Sequence, residues 1–219
     1  MNVFLLGRPG CGKSEIWRRL TVRLKEAGLA HLFERIDDFP KLKAKKEEAF
    51  QKKDYSRFRP TADGGFKVVD NRVWNELLQE VNQDVWNLRR TWEKERGEGV
   101  IAIEFSRPDY RSSLRNFSPE VLHHAVVIYI DAPFDVCWER NMKRVRKMKE
   151  QGLDAHFVSR EEMEATYAYD DRDELIKESP IPVMVVENYG DKLSELDQQV
   201  ERIVQKIRNL ISERRDGDG

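Results

Sequence analysis

Short apolar runs recur along the chain at Val3 to Leu6, Leu32 to Ile36, Val100 to Phe105, Ala125 to Ile130 and Val183 to Val186, the second being the weakest. Between them the apolar residues follow helical spacing. Ile16, Leu20, Leu24 and Ala27 make one face, which Gly28 is placed to end. Asp131-Ala132-Pro133 opens another helix, with Pro in its first turn. A last helix, from about Asp191, carries Leu193, Leu196, Val200, Ile203, Ile207 and Leu210 on one stripe, and the tail from Arg214 to Gly219 is expected to fray. Strands that alternate with helices predict a doubly wound α/β fold, here a parallel five-stranded sheet with helices on both faces.

One long segment, Pro40 to Gly99, does not fit that alternation. It holds a Lys-rich stretch (Lys41 to Lys53), a turn at Asp63-Gly64-Gly65 and a helix marked by Val73, Leu77, Val81, Val85, Leu88 and Trp92. Trp74 and Trp86 flank the stripe; they read first as core of a helical lobe and second as a stacking surface for a ring. With no repeat and no low-complexity linker, residues 40–99 form an insertion within a single domain spanning 1–219.

Composition narrows the partners. The 219 residues carry 39 Lys plus Arg against 40 Asp plus Glu, a net charge of −1. That balance argues against a general electrostatic grip on nucleic acid or an anionic membrane, and leaves a local patch as the one route to nucleic acid. No run approaches the length of a membrane span, and the first strand lacks the features of a signal peptide, so a cytoplasmic location is expected. Two cysteines make no disulfide framework, and four histidines show no metal-ligand spacing with them.

Chemistry enters after the first strand. Gly7-Arg8-Pro9-Gly10-Cys11-Gly12-Lys13-Ser14 fits G-x-x-x-x-G-K-[ST] at every fixed position, between a buried strand and an amphipathic helix. Glycines let successive N–H groups turn inward onto phosphate oxygens, and the helix adds its positive end. Lys13 would reach the β- and γ-phosphates, and Ser14 would ligate Mg²⁺. The cofactor reading is therefore ATP with Mg²⁺, held by Gly7, Pro9, Gly10, Cys11, Gly12, Lys13 and Ser14. Cys11 serves there as a small side chain.

Further candidates lie near strand ends. Asp37 and Asp38, Asp37 first, can take the proton of an attacking hydroxyl or simply cap a helix. Glu104, at the end of an apolar run, can orient the water shell of Mg²⁺. Arg107 can bind an acceptor phosphate or pair with Asp37, Asp38 or Glu104. Arg140 and Arg144 project from one face of a basic helix, where a cation would meet the charge that develops in phosphoryl transfer. Gly152 and the polar stretch to Arg160 suit a lid, giving a lid region at 139–172.

Taken together these residues resemble the P-loop kinases. The loop is similar to the G-x-P-G-x-G-K-[ST] form of nucleotide kinases and polynucleotide-kinase-like (zeta-toxin-type) phosphotransferases. Arg35-Ile36-Asp37-Asp38-Phe39 resembles the Arg-Asp-Asp-Tyr segment of polynucleotide 5′-hydroxyl kinases, with Ile36 as an intruding residue. Arg140-Asn141-Met142-Lys143-Arg144 is similar to their Arg-Asn-x-x-Arg lid helix, and Val158 to Tyr167 to the helix that closes it. The resemblance implies ATP, Mg²⁺, an Asp base and a lid arginine, Arg144 before Arg140. The expected function is γ-phosphate transfer to a hydroxyl or phosphate of a small acceptor, nucleoside or nucleotide first, with residues 40–99 on the acceptor side. Two alternatives stand beside it: a kinase for a nucleic-acid end or charged tRNA, and a nucleotide-dependent switch binding a protein. For the switch, Asn188-Tyr189-Gly190-Asp191 has the spacing of N-K-x-D without its Lys, and reads instead as a loop beside adenine.

Overall fold

The computed structural model describes residues 1–62, 64–94, 99–151, 157–190 and 193–217, with residue 193 and residues 213–217 described by backbone alone. In chain order the elements are β1 (Asn2–Leu6), α1 (Lys13–Glu26), β2 (Leu32–Asp37), α2 (Phe39–Gln51), β3 (Phe58–Pro60) and β4 (Phe66–Val68). They continue as α3 (Arg72–Lys94), β5 (Gly99–Glu104), α4 (Tyr110–Leu114), α5 (Pro119–His123) and β6 (Ala125–Asp131). The chain closes with α6 (Phe134–Glu150), α7 (Arg160–Tyr167), α8 (Arg172–Glu178), β7 (Val183–Glu187) and α9 (Leu193–Gly217).

Every strand of the main sheet is parallel to its neighbours, in the order β2-β5-β1-β6-β7. Central β1 is buried at all five positions, as a strand covered on both faces must be, whereas edge β2 is apolar only in part (Leu32, Phe33, Ile36) and so is faint as a pattern. Side chains alternate between two cores. Val3 and Leu5 pack with Ile16, Leu20, Leu24, Ile128, Val200 and Ile203 on one face; Phe4 and Leu6 pack with Val81, Val85, Ile103 and Val127 on the other. The chain leaves β1 toward β2 and β5 on one side, then crosses to β6 and β7 on the other. That divergence opens a crevice at the carboxyl end of β1, where the glycine loop lies.

Several boundaries differ from the sequence reading. β2 runs through Asp37, and Gly99 belongs to β5 rather than to the insertion. Pro133 is the N-cap of α6, just ahead of its first turn. The backbone of α9 stays helical to Gly217, past the expected fraying at Arg214. Its expected start at Asp191, the lid residues 152–156 and the turn residue Asp63 lie outside the described residues. Gly28 does end α1: its φ of +66° lets Leu29 N–H reach the Leu24 carbonyl at 3.0 Å, a Schellman closure.

The insertion is only partly separate. Val73 and Leu77 of α3 join Leu42 and Phe58 in a small third core, but Leu78, Val81 and Val85 of the same helix pack on the main sheet. The hairpin β3–β4 and helix α2 therefore hang from a helix that the main core holds rigid. No helix among the described residues is long and apolar enough to cross a membrane.

Candidate active site

The glycine loop wraps the end of β1 and passes into α1 at Gly12, its N-cap. Gly10 has φ +85°, and a Cβ there would fall on the Cys137 carbonyl, so the loop can lie against α6 only with glycine at this position. Lys13, 7% exposed, donates to the carbonyls of Gly7 (2.9 Å) and Arg8 (3.1 Å) and to Ser106 Oγ (2.9 Å). Its ammonium is thus held folded over the loop by three oxygens, with Cys11 Sγ at 3.9 Å. Cys11 is buried and burial pushes its thiol pKa up, which suits a small packing side chain rather than a thiolate.

Asn188, on the loop after β7, donates from Nδ2 to the Cys11 carbonyl at 2.7 Å, bracing the phosphate loop from the far side. Arg140 donates to the Asn188 and Gly190 carbonyls at 3.1 and 3.0 Å. It therefore supports this loop rather than facing the cavity, and Arg144 alone of the two lines the cavity wall. One helical turn apart, the two arginines diverge: Arg140 turns to the loop after β7 and Arg144 to the cavity. Arg144 donates to Asn141 Oδ1 at 2.8 Å; burial depresses its pKa while Glu104 and Asp37 act against that.

A cavity of about 280 Å³ runs from Gly10, Lys13 and Ser14 to an aromatic end lined by Phe66, Trp74, Phe157 and Tyr167. Near the loop, Arg35 donates to Ser14 Oγ at 2.9 Å and lies 3.4 Å from Glu104 Oε2. Asp37 pairs in register with Glu104 across β2 and β5. Burial pushes the Glu104 pKa up, Lys13 opposes it and Asp37 reinforces it.

Toward the aromatic end, Asp38 and Arg107 are 6% and 4% exposed and meet at 2.5 Å. The Arg107 guanidinium lies 4.3 Å from the Trp74 ring centre and 5.8 Å from that of Phe105. Burial raises the Asp38 pKa, Arg107 lowers it and Asp37 adds to the rise. Tyr167 shares this surrounding: burial holds its phenol protonated, Arg107 opposing, Glu162 and Asp38 adding to it. Asp37 and Asp38 are thus split by the end of β2: Asp37, the last strand residue, lies beside Glu104, and Asp38, the N-cap of α2, meets Arg107 toward the aromatic end.

Pattern reading does not single out several residues of this site. Arg8, a variable position of the motif, donates to the Tyr167 and Ala168 carbonyls at 2.8 and 3.3 Å and lies 3.6 Å from Asp170, tying the root of α7 to the phosphate loop. Tyr110 accepts from Gly7 N–H at 3.1 Å. Glu162 has one sequence signal, the Ser159-x-x-Glu162 capping pattern, and Ser159 Oγ does accept from Glu162 N–H at 3.1 Å.

No family model and no curated protein sequence matches the chain. Solved structures do. A sugar kinase from Janibacter sp. HTCC2649, in its unliganded form, aligns over 93% of this chain and 92% of its own at TM-score 0.56 and 17% identity. The fold is that of the P-loop kinases. The structure titled APE1195 aligns over 96% of both chains at TM-score 0.52 and 18% identity. A shikimate kinase from Acinetobacter baumannii, in complex with shikimate, aligns over 95% and 93% at TM-score 0.48 and 17% identity.

Proposed function

We propose that this chain is an ATP-dependent phosphotransferase that moves the γ-phosphoryl group of ATP to a hydroxyl of a small acceptor, with nucleosides the first set to test. The observation that carries the reading is one continuous cavity joining the phosphate loop and Lys13 to the buried Asp38–Arg107 pair. A donor site and an acceptor site share it.

In the reaction, the acceptor oxygen bonds to the γ-phosphorus as the bond from that phosphorus to the β–γ bridging oxygen breaks. ADP leaves with the electron pair, and the hydroxyl proton passes to Asp38. Burial suits Asp38 for this, since a raised pKa makes it a stronger base while Arg107 holds its geometry. Lys13, the loop amides and Arg144 face the developing phosphoryl charge. Asp37 stays with Glu104, and Arg140 holds the Asn188 loop. The likeness of Arg35 to Phe39 and Arg140 to Arg144 to polynucleotide-kinase-like (zeta-toxin-type) enzymes supports an aspartate base and a lid arginine.

The residues also fit Mg²⁺. The Ser14 hydroxyl and Glu104 carboxylate already take the cationic Arg35 beside them, and both are oxygen donors of the kind a hard cation binds, Glu104 through water. When bound, the ion neutralises charge between the β- and γ-phosphates.

A small acceptor is supported by the roof of the cavity. Lys67 on β4 pairs with Glu161 on α7, and Gly65 abuts Ser159 and Phe157, so hairpin and lid touch above it. In the Lys-rich stretch, Lys41 meets Asp84 and Lys45 meets Glu80 of α3, both at 2.7 Å, and Lys52 meets Glu48, which lessens the basic patch open to a nucleic acid.

Calorimetry and phosphotransfer with Lys13→Ala test the reading. ATP turnover should fall by roughly 10²–10³-fold with the melting temperature little changed. Wild-type transfer by the folded variant would overturn it, and tighter binding of GTP than ATP would favour the switch.

A further inference from the structure

We propose that the acceptor is a hydroxyl compound bearing a cationic amine, which is seated between Glu162 and the aromatic wall while its hydroxyl faces Asp38. This rests on the phosphotransfer reading and narrows its substrate class.

Three observations converge on the acceptor end of the cavity. First, Glu162 lines that cavity at 7% exposure, and the groups that hydrogen-bond its carboxyl are neutral: the Thr166 hydroxyl at 2.8 Å and the Val68 main-chain amide. Lys67, the nearby lysine, pairs with Glu161 instead. Among the described residues no cation is in salt-bridge contact with Glu162; burial pushes its pKa up, Lys67 opposes this only at longer range, and a buried carboxylate without a close counter-charge is costly until something supplies one.

Second, Arg107 is largely committed. Its two terminal nitrogens are taken by Asp38 and by the Ser106 carbonyl at 2.7 Å, and Trp74 covers it, leaving its buried Nε without a hydrogen-bond partner among the described residues. An acceptor phosphate or carboxylate would find this guanidinium neutralised and would face two carboxyl groups, Asp38 and Glu162. Repulsion of that kind selects against anions as firmly as attraction selects for cations.

Third, Phe157 and Tyr167 line the same space beside Trp74 and Phe66, whose rings already carry Arg107 and Lys46. Ring faces attract an ammonium group, most strongly where water is excluded. The cavity of about 280 Å³ takes in the phosphate-loop end as well, so the part left for an acceptor suits a small molecule and not a polymer end.

The experiment measures ADP release with matched acceptors that differ in one group: glucosamine against glucose, an aminonucleoside against its nucleoside, phenylethanolamine against phenylethanediol. At least one amine should exceed its neutral counterpart in kcat/KM by about tenfold or more. Glu162→Gln keeps the size of the side chain, and should cut kcat/KM for that amine by about thirtyfold, the neutral counterpart and the ATP dissociation constant staying put. A role confined to capping α7 would move all acceptors together and lower the melting temperature. A neutral or anionic acceptor preferred by wild type, no amine accepted, or an amine preference that survives Glu162→Gln each overturns the inference. The wild-type comparison stands even if the variant folds poorly. Failure of wild type to bind ATP with Mg²⁺ would instead remove the phosphotransfer reading beneath it.

Discussion

Arg107 and Asp38 form an ion pair at 2.5 Å from which solvent is almost wholly shut out. One comes from the segment after β5 and the other from the end of β2, so two neighbouring strands deliver opposite charges to one point. Removing one partner strands the other in a low-dielectric interior. Arg107→Ala should therefore destabilise the fold by about 3–5 kcal/mol, and adding Asp38→Asn to it should restore part of that loss. Urea unfolding of the single and double variants gives the comparison. Equal losses in both would mean that packing, not charge, accounts for the effect.

Acid sensitivity follows from the same pair. Burial raises the Asp38 pKa, so its charged, base-competent form is lost at a higher pH than for an exposed aspartate. The acid limb of kcat/KM should accordingly lie above the usual carboxylate range. Trp74→Ala admits water to the pair, lets the pKa relax downward, and should move that limb to lower pH while kcat falls about tenfold. For stability the sign is opposite: neutral Asp38 favours the folded state below its unfolded pKa, and that contribution is lost as pH rises through the folded value. A limb that stays in place in Trp74→Ala would separate Asp38 from the proton transfer.

Arg8 offers a test of the lid. Its guanidinium reaches two carbonyls at the end of α7 and the carboxylate of Asp170, which also accepts from Tyr129 at 2.6 Å. Arg8→Ala should speed amide exchange in residues 160–170 and lower kcat/KM by roughly tenfold, with ATP affinity nearly unchanged. Unchanged exchange would show that α7 is anchored elsewhere.

Much of the fold could be read along the chain because its signals are local. A buried parallel strand reads as a nearly continuous apolar run, as at residues 3–6 and 125–130, and a phosphate loop must place Gly, Lys and Ser at set intervals. Weak signals came from positions where one side meets solvent. Edge strand β2 shows an interrupted apolar pattern, and the three-residue strands β3 and β4 are too short to have a period. The helix of the insertion was visible in its stripe, yet not that Leu78, Val81 and Val85 serve the main sheet while Val73 and Leu77 serve the lobe.

Acidic and basic candidates were nameable from type and spacing, but their partners were not. Arg107 had three acids within reach on paper and meets Asp38; Arg140 and Arg144 share a helix face, yet Arg140 holds the loop after β7 and Arg144 lines the cavity. Spacing along one element is set by covalent geometry and so is written in the order of residues. Which charge faces which, and which carboxylate is left without a counter-ion, depends on how separate strands and helices approach. Residues as distant as Asp38, Arg107 and Glu162 acquire a common environment only when the sheet, hairpin and lid have packed.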